Sequence, residues 1–251
     1  MNRPIITIIT VSYNAKSIIE DTILSVINQT YPNIEYIVID GGSTDGTIDI
    51  IKKYENRITR WISEPDKGIY DAMNKGINIA KGEWINFMNC GDTFCQNKTI
   101  ENIFSDNLYR YDIIYGAVNM KSDTFNKTVW PKNKITHSNP MPFNHQCVFV
   151  RTSLYKQYQF DISYRYAADY NIFCKIHKKA KYLEVKEIIA NYSVDGVSST
   201  NGISVNRERL KSNPCIYNYY LHLLYYRNYL IKSILTKMGC NKILSKLKQL
   251  Q

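Results

Sequence analysis

Along the first ninety residues, short β-branched runs alternate with stretches whose apolar residues recur every three or four positions. Ile5-Ile6-Thr7-Ile8-Ile9-Thr10-Val11 is almost continuously apolar and stops at Ser12-Tyr13-Asn14, as a buried parallel strand does. Ile18, Ile19, Ile23, Val26 and Ile27 then predict a helix face, ended by Tyr31-Pro32-Asn33. A second strand, Ile34 to Ile39, runs into Asp40-Gly41-Gly42-Ser43, and Ile48, Ile51 and Tyr54 predict the next helix. Trp61-Ile62-Ser63 reads as a brief third strand. Ile69, Ala72, Met73, Gly76, Ile77 and Ala80 form another helix face before the strand Trp84 to Met88. This alternation predicts an α/β fold with a Rossmann-like, mostly parallel sheet and right-handed crossovers.

Beyond Asp92 the rhythm loosens. Ile113 to Val118, Phe125 to Trp130 and Cys147 to Val150 read as strands, Tyr170 to Ala180 as a helix, and Ser193 to Thr200 as a mobile polar loop. From Cys215 onward the pattern is helical, aromatic and basic.

Sheets of this kind bind ligands where parallel strands end, so the residues after each strand carry the functional argument. They read Ser12-Tyr13-Asn14, Asp40-Gly41-Gly42-Ser43, Glu64-Pro65-Asp66-Lys67-Gly68 and Asn89-Cys90-Gly91-Asp92. Neither GxGxxG nor GxxxxGK[ST] follows any strand, which argues against a dinucleotide dehydrogenase or a P-loop enzyme. Asp40 instead offers a carboxylate suited to a base or ribose, with glycines that let the backbone approach. The bland alternative is a turn in which Thr44 or Asp45 caps the next helix. Asp92 stands where an oxygen ligand could hold Mg²⁺ or Mn²⁺ against a diphosphate, or where a cap could precede a helix near Asn97.

Val11-Ser12-Tyr13-Asn14, Asn28-Gln29-Thr30-Tyr31-Pro32, Ile39-Asp40-Gly41-Gly42-Ser43-Thr44-Asp45-Gly46-Thr47 and Asp66-Lys67-Gly68-Ile69-Tyr70-Asp71-Ala72-Met73-Asn74-Lys75-Gly76 occur in that order. Together they resemble the family-two glycosyltransferases, in particular members that build bacterial surface polysaccharides. The resemblance implies a GT-A fold, an inverting mechanism and a nucleotide-diphosphate sugar donor. It implies that Thr10, Ser12 and Tyr13 flank the nucleotide, with Gly42 and Ser43 in the same loop as Asp40 at the base or ribose. Lys67 is then expected to face the diphosphate, Asn89 to bind donor or sugar, and Asp92 to bind the metal. Asn89 and Gly91 stand where the commonest family pattern has aspartates, and Met73 where it has arginine. Asp169, in Tyr166-Ala167-Ala168-Asp169-Tyr170, resembles the family's general base; as a cap it would merely start a helix. His145 and Gln146 also occur in the polysaccharide-building members and are expected on the acceptor or sugar side. Asp161 and Asp195 are reserve candidates for the base.

Composition adds a partner. The net charge of +10 is concentrated at the C-terminal end, where residues 206–251 hold nine Lys and Arg against the single acid Glu208. Tyrosines and leucines interleaved with those cations resemble a helix lying on an anionic membrane, or a face that packs on the catalytic domain or a second copy in a homodimer. Nucleic acid is not expected, because no RNA-binding signature appears and the strand-end carboxylates would repel phosphates. The six scattered cysteines suggest reduced thiols, without a disulfide framework or a zinc cluster. Neither a secretory leader nor a membrane span is recognisable.

The expectation is therefore a GT-A domain over residues 1–205, with a nucleotide-sugar half (1–96) and an acceptor half (97–205), and a basic aromatic helical tail over 206–251. Its expected activity is transfer of a hexose or N-acetylhexosamine from a nucleotide sugar, UDP-linked, to a glycan on a lipid diphosphate in surface polysaccharide (O-antigen or capsule) biosynthesis, in the cytoplasm at the inner face of the cell membrane. A binding module of the same fold that has lost catalysis is the alternative.

Overall fold

The computed structural model describes residues 3–105, 108–122, 125–131, 134–193 and 201–237. Its N-terminal half follows the predicted alternation: β1 (Ile6–Ser12), α1 (Ile19–Ile27), β2 (Ile34–Asp40), α2 (Thr47–Lys53), β3 (Arg60–Ser63), α3 (Ile69–Ile79) and β4 (Trp84–Phe87). The rest comprises β5 (Thr93–Phe94), α4 (Thr99–Ile103), β6 (Ile113–Ser122), β7 (Phe125–Val129), β8 (Val148–Arg151), α5 (Thr152–Gln157), α6 (Ala168–Ile176), β9 (Tyr182–Ser193), α7 (Gly202–Ser212) and α8 (Ile216–Lys237).

One sheet runs in the order β3-β2-β1-β4-β8-β6-β9-β5, with β7 paired to β6. The β3-β2-β1-β4 half is parallel. From β4 to β8 the pairing becomes antiparallel, and β6 then joins antiparallel β8 and β7 to parallel β9. Parallel strands must be covered on both faces, and here period-two alternation supplies both cores. Ile6, Ile8, Tyr36 and Val38 face a cluster closed by α1 and α4 that includes Trp84, Phe104 and Phe149. Ile9, Val11, Ile37 and Ile39 face the opposite cluster, closed by α3, α5 and α6 through Ile77, Tyr155 and Phe173.

A buried carboxylate locks the far end of the parallel half. Glu35 accepts hydrogen bonds from the Thr7 hydroxyl at 2.5 Å and from the Lys81 and Gly82 amides at 2.8 and 3.1 Å. Gly82 must be glycine, since a Cβ there would fall 2.8 Å from the Ile5 carbonyl and the Thr7 nitrogen.

Strand β9 and helix α5 were not expected from the sequence, and β9 has a physical reason. Its pairing with β6 shifts register between Tyr115 and Val118, so the alternation along Tyr182-Leu183-Glu184-Val185-Lys186-Glu187-Ile188-Ile189 is broken where the ladder bulges. Helix α6 also begins earlier and ends earlier than Tyr170 to Ala180. The expected polar loop at Ser193 to Thr200 falls, from Val194 on, outside the described residues, as do Asp195 and the lysines beyond 237.

Candidate active site

The parallel register carries Ser12, Asp40 and Ser63 side by side to one sheet edge. Asp40 is fully buried there. Its Oδ1 accepts the hydroxyls of Ser12 at 3.0 Å and Ser43 at 2.5 Å. Its Oδ2 accepts the Gly42 and Ser43 amides at 3.1 and 2.8 Å and the Ser63 hydroxyl at 2.7 Å. Burial by itself would raise the pKa of this carboxyl, but the bonds from Ser43, Ser63 and Ser12 outweigh it and hold the group below its ordinary value. A carboxylate has about four lone-pair sites, so Asp40 is saturated by donors from its own loop and from the ends of β1 and β3. It shapes the turn in which Gly42 takes φ 84°. The cap position of α2 is Gly46 rather than Thr44 or Asp45, but Asp45 holds the turn into that helix by accepting the Thr47 amide at 3.0 Å.

Thr10 lies a layer below the edge. Its hydroxyl donates to the Met88 carbonyl at 2.7 Å and meets the Tyr36 hydroxyl at 3.1 Å. Tyr13, by contrast, is 66% exposed, just beyond the end of β1. Asn14 was quoted in the motif but given no role. It adopts φ 47°, its amide donates to Ser43 Oγ at 2.8 Å, and its Oδ1 accepts the Thr44 amide at 3.0 Å, so it clamps the β1 and β2 loops together. Asparagine is one of the few non-glycine residues that tolerate this backbone region, which is the signal that could have marked it. Lys67 is exposed beyond β3, with its backbone amide on Asp71 at 2.9 Å.

The segment after β4 meets the turn that precedes β8 directly. Asn86, a lone polar residue inside a buried strand, donates from Nδ2 to the Gln146 and Val148 carbonyls at 2.9 Å each. That pair fixes the 3₁₀ turn His145–Cys147 against β4. Asn89 Nδ2 lies 3.0 Å from His145 Nε2, which must accept because the amide nitrogen can only donate. The imidazole proton then sits on Nδ1, which stands 3.6 Å from Asp169 Oδ2. Burial holds the His145 pKa below its ordinary value, with the Asp169 charge acting the other way. On the opposite side the Tyr70 hydroxyl, at the start of α3, reaches Asp169 Oδ1 at 3.4 Å. Asp169 also accepts its neighbour's amide, from Tyr170, at 2.7 Å. The structure thus brings Asn89, His145 and Asp169 into one chain of contacts. Asp161 sits in a turn, accepting the Ser163 amide at 2.9 Å.

Asp92 is buried beside Gln146. Desolvation pushes its carboxyl up to about 7, with the Gln146 hydrogen bond opposing. It does not cap α4, whose preceding residue is Lys98. Among the described residues no group of three His, Cys, Asp or Glu gathers as a metal cage. The surroundings nonetheless fit a hard divalent cation completed by phosphate oxygens and water. Asn89 Oδ1 and Gln146 Oε1 are buried without a hydrogen-bond partner, and Asp92 is an ionisable oxygen ligand without a counter-charge. The cysteines described are all free thiols.

This burial has a sign. The unfolded Asp92 loses its proton near 3.8 and the folded one near 7, so the native state holds an extra proton between those values. Without metal, stability should therefore fall as pH rises from about 4 to 7, by on the order of a few kcal/mol. Asp92→Asn should abolish most of that slope and melt above the parent protein at pH 8 in the presence of a chelator. Thermal unfolding of both proteins at pH 5 and pH 8 measures this; parallel pH profiles would refute it.

Residues 7–173 match the family model described as glycosyl transferase family 2. A PGL/p-HBAD biosynthesis glycosyltransferase of Mycobacterium bovis (strain BCG / Pasteur 1173P2) is 28% identical over 233 residues, covering 85% of this chain and 86% of that protein. The putative teichuronic acid biosynthesis glycosyltransferase TuaG of Bacillus subtilis is 39% identical over 99 residues, 38% of this chain and 39% of TuaG. Among solved structures, S. aureus TarS 1-349 in complex with UDP-GlcNAc superposes with a TM-score of 0.66 at 18% identity, over 83% of this chain and 66% of that one. The mannosyltransferase PcManGT from Pyrobaculum calidifontis, in complex with GDP-Man and Mn2+, gives a TM-score of 0.64 at 18% identity, over 84% and 63%. The chain spans less than two thirds of each of these solved neighbours, and 39% of a longer TarS chain. At such identities the likeness establishes the fold, which is GT-A. The family match covers more than half of the chain and contains the strand-end residues from Ser12 to Asp92 as well as Asp169, so this protein belongs to glycosyl transferase family 2.

Proposed function

We propose that the protein transfers a hexose or N-acetylhexosamine from a nucleotide-diphosphate sugar, UDP-linked, to a lipid-linked glycan in surface polysaccharide biosynthesis. The observation that carries this reading is the Asn89–His145–Asp169 chain, which sets a carboxylate of the acceptor half against the end of the donor-binding sheet. The M. bovis relative and TuaG, by the pathways in their names, support polysaccharide or glycolipid assembly as the setting.

In the proposed reaction the exposed Tyr13 ring covers the nucleobase, and the backbone of the Asp40–Ser43 turn shapes its pocket. Lys67 faces the diphosphate. Asp92, with the side-chain oxygens of Asn89 and Gln146 nearby, would hold Mn²⁺ or Mg²⁺, whose charge offsets that of the departing diphosphate. Asp169 takes the proton of the acceptor hydroxyl as that oxygen bonds to the anomeric carbon and the bond to the diphosphate breaks on the opposite face. One such displacement inverts the anomeric configuration. His145 and Tyr70 hold the Asp169 carboxylate from two sides, which restricts its rotation.

The tail supports attachment to an anionic membrane. Ile216, Tyr219, Tyr220, Leu223, Tyr226 and Leu230 are exposed, recur at helical spacing along α8, and share that side with exposed Arg227. On the opposite side Asn218 is buried in the first turn, while Tyr225 and Tyr229 further along are exposed as well. No described helix is long and apolar enough to cross a membrane.

Asp169→Asn should lower the rate of nucleoside diphosphate release in the presence of acceptor by about 10²- to 10⁴-fold while leaving nucleotide affinity intact. A variant within a factor of two of the parent would remove Asp169 from this role. Replacing Tyr219, Leu223 and Tyr226 together by serine should weaken co-sedimentation with phosphatidylglycerol vesicles by about tenfold or more. Unchanged vesicle binding with loss of a dimer in light scattering would make the stripe a subunit interface instead.

A further inference from the structure

Glu208 is the single acid of residues 206–251, and its position gives it a use that charge counting does not reveal. It projects from α7 onto the segment that leads into α6. Its Oε1 accepts the Arg165 amide at 2.9 Å, and its Oε2 accepts the Tyr166 and Ala167 amides at 2.8 and 2.9 Å. Three consecutive backbone N–H groups thus converge on one carboxylate, directly before Ala168 and Asp169. Charge-assisted bonds of this kind are stronger and more directional than neutral ones.

Helix α6 has no side-chain cap of its own, because the residue at that position is Ala167. The Ala167 amide at the cap position and the two amides before it are instead held from outside, by a carboxylate some forty positions further along the chain that lies towards the positive end of the helix dipole. Other contacts from the same helical pair hold the far side of the base. Asn218 Nδ2 donates to the Tyr170 hydroxyl at 3.1 Å, Arg209 lies over the Tyr170 ring at 5.2 Å, and Asn171 Nδ2 donates to Ser212 Oγ at 3.3 Å. Residues 164–171 are consequently gripped by α7 and the first turn of α8.

We propose that Glu208 is a positioning residue for Asp169: it fixes the backbone from which the base projects, and thereby makes the base depend on the C-terminal helices. This rests on the reading of Asp169 as the general base. Glu208 touches neither the donor nor the acceptor in this assignment and acts only through the backbone of Arg165 to Ala167. Its loss should leave donor binding intact and move the carboxylate of Asp169 relative to the attacking hydroxyl. Misplacement by about 1 Å is enough to cost on the order of 10²-fold in rate.

The test is a double-mutant cycle on Glu208 and Asp169 in the full chain, with Glu208→Gln as the milder variant and Glu208→Ala as the stronger. Turnover is followed as nucleoside diphosphate release in Mn²⁺, using whichever of UDP-N-acetylglucosamine, UDP-glucose, UDP-galactose or GDP-mannose the parent protein consumes. The proposal expects kcat to fall about 10- to 100-fold in Glu208→Ala and less in Glu208→Gln, with donor KM unchanged. It further expects Glu208→Ala to add nothing to Asp169→Asn, because a residue acting through the base has no effect once the base is gone. Hydrogen exchange of the 164–171 segment should accelerate in both Glu208 variants, which keeps the idea testable if Glu208→Ala folds poorly. Unchanged kcat in a folded Glu208→Gln whose exchange has accelerated, or losses that multiply with Asp169→Asn, would overturn the positioning role while leaving Asp169 as base. A fully active Asp169→Asn, or a parent protein that consumes none of the four donors, would instead overturn the reading on which it rests.

Discussion

The carboxylate of Asp40 draws five donors from the ends of β1, β2 and β3 into one buried knot. A charge with no exposed surface is tolerable only when its lone pairs are filled, and Ser12, Gly42, Ser43 and Ser63 fill them. The same bonds keep the group ionised at neutral pH and fix the turn where the nucleotide is proposed to lie. Every other strand-end segment is placed relative to this knot by the parallel register, so losing it would loosen the donor side of the cleft as a unit. Its role is therefore architectural first.

The second half of the molecule is organised by a change of direction. Where β4 meets β8 the sheet turns antiparallel, and this brings the 3₁₀ turn at His145 beside the residues that follow β4. Groups of the two halves of the sheet that are more than fifty residues apart thereby come within contact distance, Asn89 with His145, and His145 in turn meets Asp169. The C-terminal helices complete the arrangement from the other side, through Glu208 and Asn218. Asp169, the proposed base, is thus held both from the sheet side and from the C-terminal helices, which links it to the surface on which the protein is proposed to sit.

Much of the parallel half was legible in the sequence, because buried parallel strands are short β-branched runs and their amphipathic crossover helices keep a 3.6-residue period. Ile6–Ser12, Ile34–Asp40 and Ile69–Ile79 fall within a residue or two of the expected segments. Strand β9 was hidden by its bulge and its charged outer positions, and α5 by its shortness. At the site, residue type predicted location better than use. The Asp40 carboxylate is met by donors from its own loop and from the two neighbouring strand ends, and Thr10 turns its hydroxyl into the core. The partnership of His145 with Asp169 and the three amides on Glu208 depend on long-range packing that no local pattern encodes.

The central claim is that the strand-end cleft binds a nucleotide diphosphate together with a divalent cation that engages Asp92. Isothermal titration of the purified protein with UDP, GDP and CMP, each with and without Mn²⁺, tests it most directly. The account predicts binding of UDP that requires Mn²⁺ and is lost in Asp92→Asn. Failure of every nucleotide to bind under either condition would contradict it and favour a binding module that keeps the fold without the chemistry.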